Sequence, residues 1–565
     1  MSAISRDLDL LFEKLAEIEA RQHMINVLSY DMETAAPKGG MKEDGENMSL
    51  LSNENFKAKK DSEYLLLVHR IKQINPKELN PWENRLITLL SREIQKNKNV
   101  SQKTAKEIDE LFNTAYIEWI HAKEAKSYEA FAPTLSKIIN AQKRLVTLRN
   151  EYNPNNLYDT LISDYEEGFT TKDLDVFFDT IEQGIVPLLR AVKNATYTPR
   201  HDFLTKSVPI HKQEQFSRFL LEFNGFDFNR GSLSTTEHPF TSQLGRDDVR
   251  ITTKYIEHSF ISNMYSIIHE GGHALFGQNI PEEVFSYHIG ESSLTMAKHE
   301  SVSRFYENVI GRSKEYIHAI YPKFKELFSK ELGNVTEDQL YEGVNYVDLN
   351  NKLRTEADEL TYSLHIIIRY RLEKEMMNGK VDCSTLNQRW NEMYKEILGV
   401  DVKNDAEGIL QDVHWTNGFG YFPTYAMGNA LNCIYLKKIC SEMDFYKNIR
   451  SGKMQEILKW MKKNVFASAP LYDTKDWIKK ICGEDFGASA YVEYLTNKFT
   501  KIYKISAKDL ALAKKQLENE SKAKEVVEVV EPAEQKKAPA EQKKAPAEQK
   551  KAPAEQKKAP AKKGK

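Results

Sequence analysis

The sequence predicts a mainly α protein: a large helical body carrying one small β-sheet. Three observations predict it. Apolar residues recur at three- and four-residue spacing along most of the 565-residue chain, as in helices with one buried face. Strict apolar–polar alternation, the mark of half-buried strands, is confined to a region after position 230. No interior linker rich in Gly, Pro or Ser appears before about residue 505, so residues 1–505 are expected to form one body, open to division into two lobes about a cleft.

Leu8, Leu11, Leu15, Ile18 and Ile25 mark a first amphipathic helix, ended by the break Ala36-Pro37-Lys38-Gly39-Gly40. Leu65 to Ile71, Leu86 to Ile94, Ile108 to Trp119 and Phe131 to Leu148 continue the pattern. Asn153-Pro154-Asn155-Asn156 is a turn, and Thr170-Thr171-Lys172-Asp173 offers a cap to a helix through Phe177, Ile181 and Leu188. Val249, Ile251, Thr253 and Tyr255 then alternate with Arg250, Thr252 and Lys254, and Val284 to Ile289 is a second β-prone run. Together they predict a small sheet flanking the helix between them, with an edge to which a peptide could add as a strand. Helical spacing returns in Val302 to Val309, Leu353 to Glu375 and Trp390 to Leu398. A Gly- and aromatic-rich stretch, Trp415 to Tyr425, interrupts it before further helices run to about Tyr503.

Residues 506–532 read as a charged helical or linker segment, and residues 533–565 as a disordered basic tail. AEQKKAP repeats four times from Ala533 to Pro560; a seven-residue period would suit a coiled coil, but every unit contains proline and none supplies an apolar seam. The tail holds eleven lysines against four glutamates, a net +7, so the remainder must carry −9 to reach the overall −2. Such a tail is a solvated spacer, with attraction to an acidic partner or polyanion as the functional alternative. Four cysteines in no CxxC pair, an N-terminus interrupted by acids and no apolar run near ~20 residues lead to the expectation of a reduced, cytoplasmic protein without a membrane span.

The chemistry gathers in Ile267-Ile268-His269-Glu270-Gly271-Gly272-His273-Ala274, which contains the pattern HExxH. On a helix, His269 and His273 project from one face, spaced for two corners of a tetrahedral zinc site. Glu270, about 100° round the helix, stands beside the metal as general base for an activated water. Phe260, Ile261, Met264, Tyr265 and Ile268 supply the apolar face. Gly271 and Gly272 each cost about 1 kcal/mol relative to Ala there, so close backbone packing or approach of a substrate is expected to require them. Two histidines on a helix can equally be surface or core residues. The neighbourhood tips the reading: six of the 14 histidines fall between His238 and His299, and Glu300 lies 27 residues beyond His273. A carboxylate from a following helix completes many such three-ligand sites; spacing leaves open which of His299 and Glu300 binds.

HEGGH followed by His299-Glu300-Ser301, together with His238-Pro239-Phe240, Asp248 to Thr252, Leu353-Arg354 to Asp358 and Gly408 to Trp415, closely resembles the carboxypeptidase Taq family of zinc metallopeptidases. The likeness extends through Tyr158-Asp159 to Gly168 and the run Phe419 to Tyr425. The resemblance implies His269, His273 and Glu300 as metal ligands, Glu270 as catalytic base, and zinc as cofactor; the sequence leaves open whether zinc or another divalent ion such as cobalt works best. It implies a mostly helical fold with a long deep groove and a small sheet, a homodimer, and removal of C-terminal residues from peptides with broad specificity. Such an exopeptidase must hold a free carboxylate, which arginine does best through its bidentate fork. Arg250 and Arg354 stand in the matching motifs, each with an acid nearby, Asp248 or Asp358, as its structural alternative. The oxyanion needs a donor besides the metal, for which His414 and Tyr421 rank ahead of Tyr425. His238 is either a support to the site or structural. Departures from the family pattern at Val302, Leu353, Ser29-Tyr30-Asp31 and Ala36 bear on pocket shape and substrate preference, not on the reaction. The rivals are an oligopeptidase cutting internally and a non-catalytic peptide-binding protein, which would have no need of Glu270.

Overall fold

In a computed structural model, residues 3–149, 152–290, 294–379 and 381–534 are described. The chain divides into a first unit, Met1–Leu510, and a second, Ala511–Lys565, described as far as Glu534 and helical there. The AEQKKAP repeats beyond Glu534 lie outside the described residues.

The first unit has two hydrophobic cores. The smaller joins helices Ala3–Thr34, Ser62–Lys72 and Pro81–Asn97 through Leu11, Leu15, Leu67, Ile71 and Leu86. Their starts are fixed by side chains: Asp61 accepts from the N–H groups of Glu63 and Tyr64, and Asn80 forms a reciprocal capping box with Glu83. Met41–Lys59 is also helical, although no apolar period announces it; Asn55 is its one buried residue among those described, so it has no apolar stripe to register. The larger core takes up the remaining helices, including Thr171–Lys193, which opens with the capping box Thr170/Asp173. Ion pairs bind the two cores together: Arg85 and Arg92 reach Asp473 at 2.8 and 2.7 Å, and Lys96 reaches Asp164 at 3.0 Å.

Among the described residues three strands interrupt the helices. β1 (Gly231–Thr235), β2 (Thr241–Gly245) and β3 (Asp248–Thr253) lie in the order β1-β3-β2, β1 parallel and β2 antiparallel to β3. The alternating stretch is the central strand, with Val249 and Ile251 fully buried. Val249 and Gln243 lie under Gly277 of the helix Phe260–Asn279, so the sheet does flank the histidines. The run Val284 to Ile289 is not a strand. Glu283–Ser286 forms one helical turn, the Ile289 N–H closes it on the Val284 carbonyl (3.0 Å), and His288 takes φ 53°. Its apolar residues serve different cores, Val284 the larger and Ile289 the smaller, which is why their proximity in sequence mimicked a strand.

Leu353 to Glu375 resolves into a short turn, Arg354–Glu356, and the helix Tyr362–Met377. Val302 to Val309 spans the helix Met296–Arg304 and its π-helical continuation Phe305–Ile310. The four cysteines are free; Cys433 is buried while Cys440, on the same helix, is exposed. Among the described residues no helix is long and apolar enough to cross a membrane.

Candidate metal centre and active site

The histidine helix, Phe260–Asn279, and the glutamate helix, Met296–Arg304, meet backbone to backbone. A Cβ on Gly272 would stand 2.7 Å from Cα of Ser303 and 3.1 Å from the Val302 carbonyl oxygen, and one on Gly271 would stand 2.8 Å from Leu221. On its other side the glutamate helix is met by the helix Pro423–Glu442, where a Cβ on Gly428 would lie 2.8 Å from Cγ and 2.9 Å from Cβ of Glu300. The glutamate helix is therefore clamped between two glycines. Close approach, one of the two reasons anticipated for the paired glycines, offsets their helix cost of about 1 kcal/mol each.

This packing brings His269, His273 and Glu300 together, their ligand atoms all within 4.8 Å of one another. Nε2 of each imidazole lies 3.5 Å from Glu300 Oε2. The outer nitrogens are occupied: His269 Nδ1 meets Glu307 Oε2 at 2.8 Å, and His273 Nδ1 meets His299 Nδ1 at 3.1 Å. Assigning the His269 proton to Nδ1, as the Glu307 carboxylate requires, turns the Nε2 lone pair inward. His299 stands behind His273, whereas Glu300 faces the common point; geometry separates the two residues that spacing could not. Two inward nitrogens and one carboxylate oxygen, each backed by a partner, fit a divalent cation with a position left for water.

Arg304 ties the cluster together. Its Nε donates to Glu300 Oε1 (2.7 Å), its Nη1 donates to Glu307 Oε2 (3.0 Å), and its guanidinium lies 3.9 Å from the Tyr362 ring centroid. Burial alone would raise both carboxylates, but the Arg304 guanidinium holds Glu300 well below the usual range. Arg304, His269 and Arg312 likewise bring Glu307 down to about 2 against its burial. Burial, reinforced by His273, pushes His299 down to about 3, so its ring is neutral near pH 7. Glu270 is buried on the same helix, with Thr241 Oγ1 2.7 Å from its Oε2 and 2.9 Å from its carbonyl oxygen, so β2 orients the carboxylate. Glu307 and Thr241 lie outside the motifs that carry the family resemblance, and Arg304 stands three residues past His299-Glu300-Ser301 without an assigned role there. The one signal available was the Glu300-Arg304-Glu307 spacing, which puts opposite charges on one helix face.

A second group adjoins the first through Tyr362. Arg354 donates from Nε and Nη2 to Asp412 Oδ1 (2.9 and 2.8 Å) and from Nη1 to the Tyr362 hydroxyl (3.1 Å). Its acid is Asp412, not Asp358, which turns back to accept from the N–H groups of Leu360 and Thr361, at 3.0 Å each. His414 Nε2 lies 3.0 Å from the Tyr425 hydroxyl, its ring 5.5 Å from that of Tyr421, and its buried Nδ1, 4.0 Å from Asp412 Oδ1, has no hydrogen-bond partner among the described residues. Burial brings His414 down to about 4 despite Asp412, leaving a neutral imidazole. Burial and the charge of Glu300 push Tyr421 up to about 12 against the Tyr425 hydrogen bond, so it stays a protonated donor. Arg250 stands elsewhere. It is bonded to both oxygens of Asp248 (2.8 and 2.7 Å), 5.0 Å from the Tyr30 ring centroid. The register pairs Thr241 with Ile251 and Ser242 with Arg250, so Arg250 faces away from the histidine helix. His238 is exposed between β1 and β2.

Residues 10–499 match the carboxypeptidase Taq (M32) metallopeptidases. The chain is 33% identical over 495 residues to Carboxypeptidase 1 of Bacillus subtilis (strain 168), a match covering 87% of this chain and 98% of the relative. It is 33% identical over 494 residues to Thermostable carboxypeptidase 1 of Pyrococcus furiosus, covering 86% and 97%. Among solved structures, the M32 carboxypeptidase from Deinococcus radiodurans R1 superimposes with a TM-score of 0.84 at 29% identity, over 88% of this chain and all of that one. The apo-Mg structure of Pyrococcus furiosus carboxypeptidase gives 0.83 at 32% identity, over 87% and 99%. With the family match and the similarity to its members running over most of its length, the chain belongs to the carboxypeptidase Taq (M32) family and is a metallocarboxypeptidase.

Proposed function

We propose that the chain is a zinc carboxypeptidase of the cytoplasm that removes residues singly from the C-termini of peptides with broad side-chain tolerance. The observation that carries the chemistry is the pair of Nε2 atoms, each 3.5 Å from one oxygen of Glu300, with the separate carboxylate of Glu270 on the same helix. His269, His273 and Glu300 would hold the ion. A divalent cation there supplies Lewis acidity, lowering the pKa of water toward neutrality and polarising the scissile carbonyl. Glu270, oriented by Thr241, takes the water's proton on its carboxylate and returns it to the leaving amine. His414 and Tyr421 donate to the developing oxyanion, and Tyr425 supports His414.

Arg354 is favoured for the substrate's carboxylate. The protein uses its Nε–H, one Nη1–H and one Nη2–H, and a guanidinium has two further N–H donors to offer. Arg250, on the opposite sheet face, is the second candidate. A homodimer is proposed on the family resemblance, to be tested by sedimentation. The decisive experiment pairs an N-blocked peptide bearing a free C-terminus with its C-terminally amidated twin, followed by mass spectrometry with and without chelator. Stepwise loss from the free form alone, abolished by chelator and restored by zinc, is expected. Equal cleavage of the amidated peptide would make the enzyme an oligopeptidase.

A further inference from the structure

Glu373 lies within the helix Tyr362–Met377 and is 1% exposed. Its two oxygens collect three neutral donors. Trp415 Nε1 donates to Oε1 (2.8 Å), while the Tyr158 hydroxyl and the Gly420 N–H donate to Oε2 (2.6 and 2.8 Å). No lysine or arginine among the described residues pairs with it. Arg369, one turn earlier, is committed to Asp412, Gln411 and the His365 carbonyl.

Burying a carboxylate without a counter-charge is costly, and burial pushes this one up to about 7 despite its three hydrogen bonds. A glutamine or leucine would fill similar space at less cost. Neither can accept three donors: leucine accepts none, and glutamine has one oxygen and would turn its own NH2 toward an N–H or hydroxyl hydrogen. The residue type is therefore matched to gathering donors.

Two of those donors belong to one loop. His414 immediately precedes Trp415, and Tyr421 immediately follows Gly420. The third donor, Tyr158, belongs to the helix Leu157–Tyr165, against which the loop rests. Gly420 has φ +100°, and a Cβ there would stand 2.6 Å from the Leu161 carbonyl oxygen. Tyr165 of the same helix meets the Tyr421 ring edge-on at 5.3 Å.

We propose that Glu373 is a positioning residue for the peptidase reaction: its carboxylate draws Trp415 and Gly420 to one point and so sets the placement of His414 and Tyr421. The proposal rests on the reading of His414 and Tyr421 as oxyanion donors.

The test uses the full-length, metal-loaded enzyme with the N-blocked peptide, in the variants Glu373→Gln, Glu373→Leu and Trp415→Phe. Metal content, thermal unfolding and hydrogen exchange over residues 414–421 are measured alongside kcat and KM. The Glu373 variants are expected to lose kcat by about 10- to 100-fold, as for a misplacement of reacting groups by a fraction of an ångström to one ångström. KM and metal content should stay close to wild type while exchange at the Gly420 amide accelerates; the unfolding temperature should fall, more for Glu373→Leu than for Glu373→Gln, because buried donors are left unpaired. Trp415→Phe, which removes one loop donor and leaves the carboxylate, should give a smaller loss of the same kind, and decides the matter if neither Glu373 variant folds. Adding Glu373→Gln to a His414→Ala, Tyr421→Phe enzyme should cost nothing more, because the groups it places are gone. Unchanged kcat in a folded Glu373→Gln enzyme, with His414→Ala or Tyr421→Phe impaired, overturns this proposal alone. Full activity in the His414→Ala, Tyr421→Phe enzyme overturns both it and the donor assignment.

Discussion

At the scale of single residues, each group at the metal cluster is held by a neighbour with the opposite demand. Glu270 is fixed by Thr241, so Glu270→Gln keeps size and contact while losing the capacity to take a proton. Metal should be retained by elemental analysis and kcat should fall by about 10²- to 10⁴-fold, the range for a general base; turnover near wild type would defeat the assignment. Glu307 fixes the His269 ring and its tautomer through the 2.8 Å contact. Glu307→Gln should therefore weaken metal binding by about 10- to 100-fold in competition with a chelator, as for other partners behind a ligand. The two candidate histidine ligands and the candidate base were legible because one helical turn carries His269, Glu270 and His273. Thr241 was not, because it arrives from a strand whose meeting with the histidine helix no local spacing records, and the Glu300-Arg304-Glu307 spacing showed a charged face without showing that Glu307 reaches His269.

At the scale of elements, the site depends on how closely three helices approach. Gly272 and Gly428 let the glutamate helix sit against backbone on both sides, and a methyl group at Gly272 would meet the Ser303 Cα at 2.7 Å. Gly272→Ala should separate the helices, costing about 1–3 kcal/mol as an overpacked core does. The expected readout is a lower unfolding temperature together with weaker metal binding. Gly39→Ala, where nothing lies within 4 Å, should show neither. The paired glycines in HEGGH announced a close contact, and the partner helix had to be found in three dimensions. Val284 to Ile289 shows the reverse failure: a run of six residues is too short for its period to separate one helical turn from a strand, and the two cores it serves settled the matter.

At the scale of the whole molecule, the smaller core docks on the larger through charge. Burial would raise Asp473, but hydrogen bonds from Arg92 and Arg85 bring it down to about 2. An unfolded aspartate titrates near 3.9. A group lowered on folding contributes stability that is fully present above the unfolded value and is lost as pH falls through the folded one. This docking should therefore weaken as pH drops from about 4 to about 2. Asp473→Asn should lower the unfolding temperature near neutral pH, and its difference from wild type should shrink over that acid window. A constant difference would show that Asp473 acts by packing rather than charge.

The sequence by itself determined the helical class, the strand at Val249, the HExxH pair with Glu270 between its histidines, and the two residues, His299-Glu300, that hold the third candidate ligand. Each is written in spacings of a few residues, where backbone period dictates which side chains share a face. Only the tertiary structure turned Glu300 rather than His299 to the point that His269 and His273 face, paired Arg354 with Asp412 instead of Asp358, and brought Glu307 to His269 and Glu373 to Trp415 and Gly420. Those choices depend on contacts between segments distant in the chain, made where glycines permit close approach and buried charges must find partners, and neither condition leaves a period in the sequence.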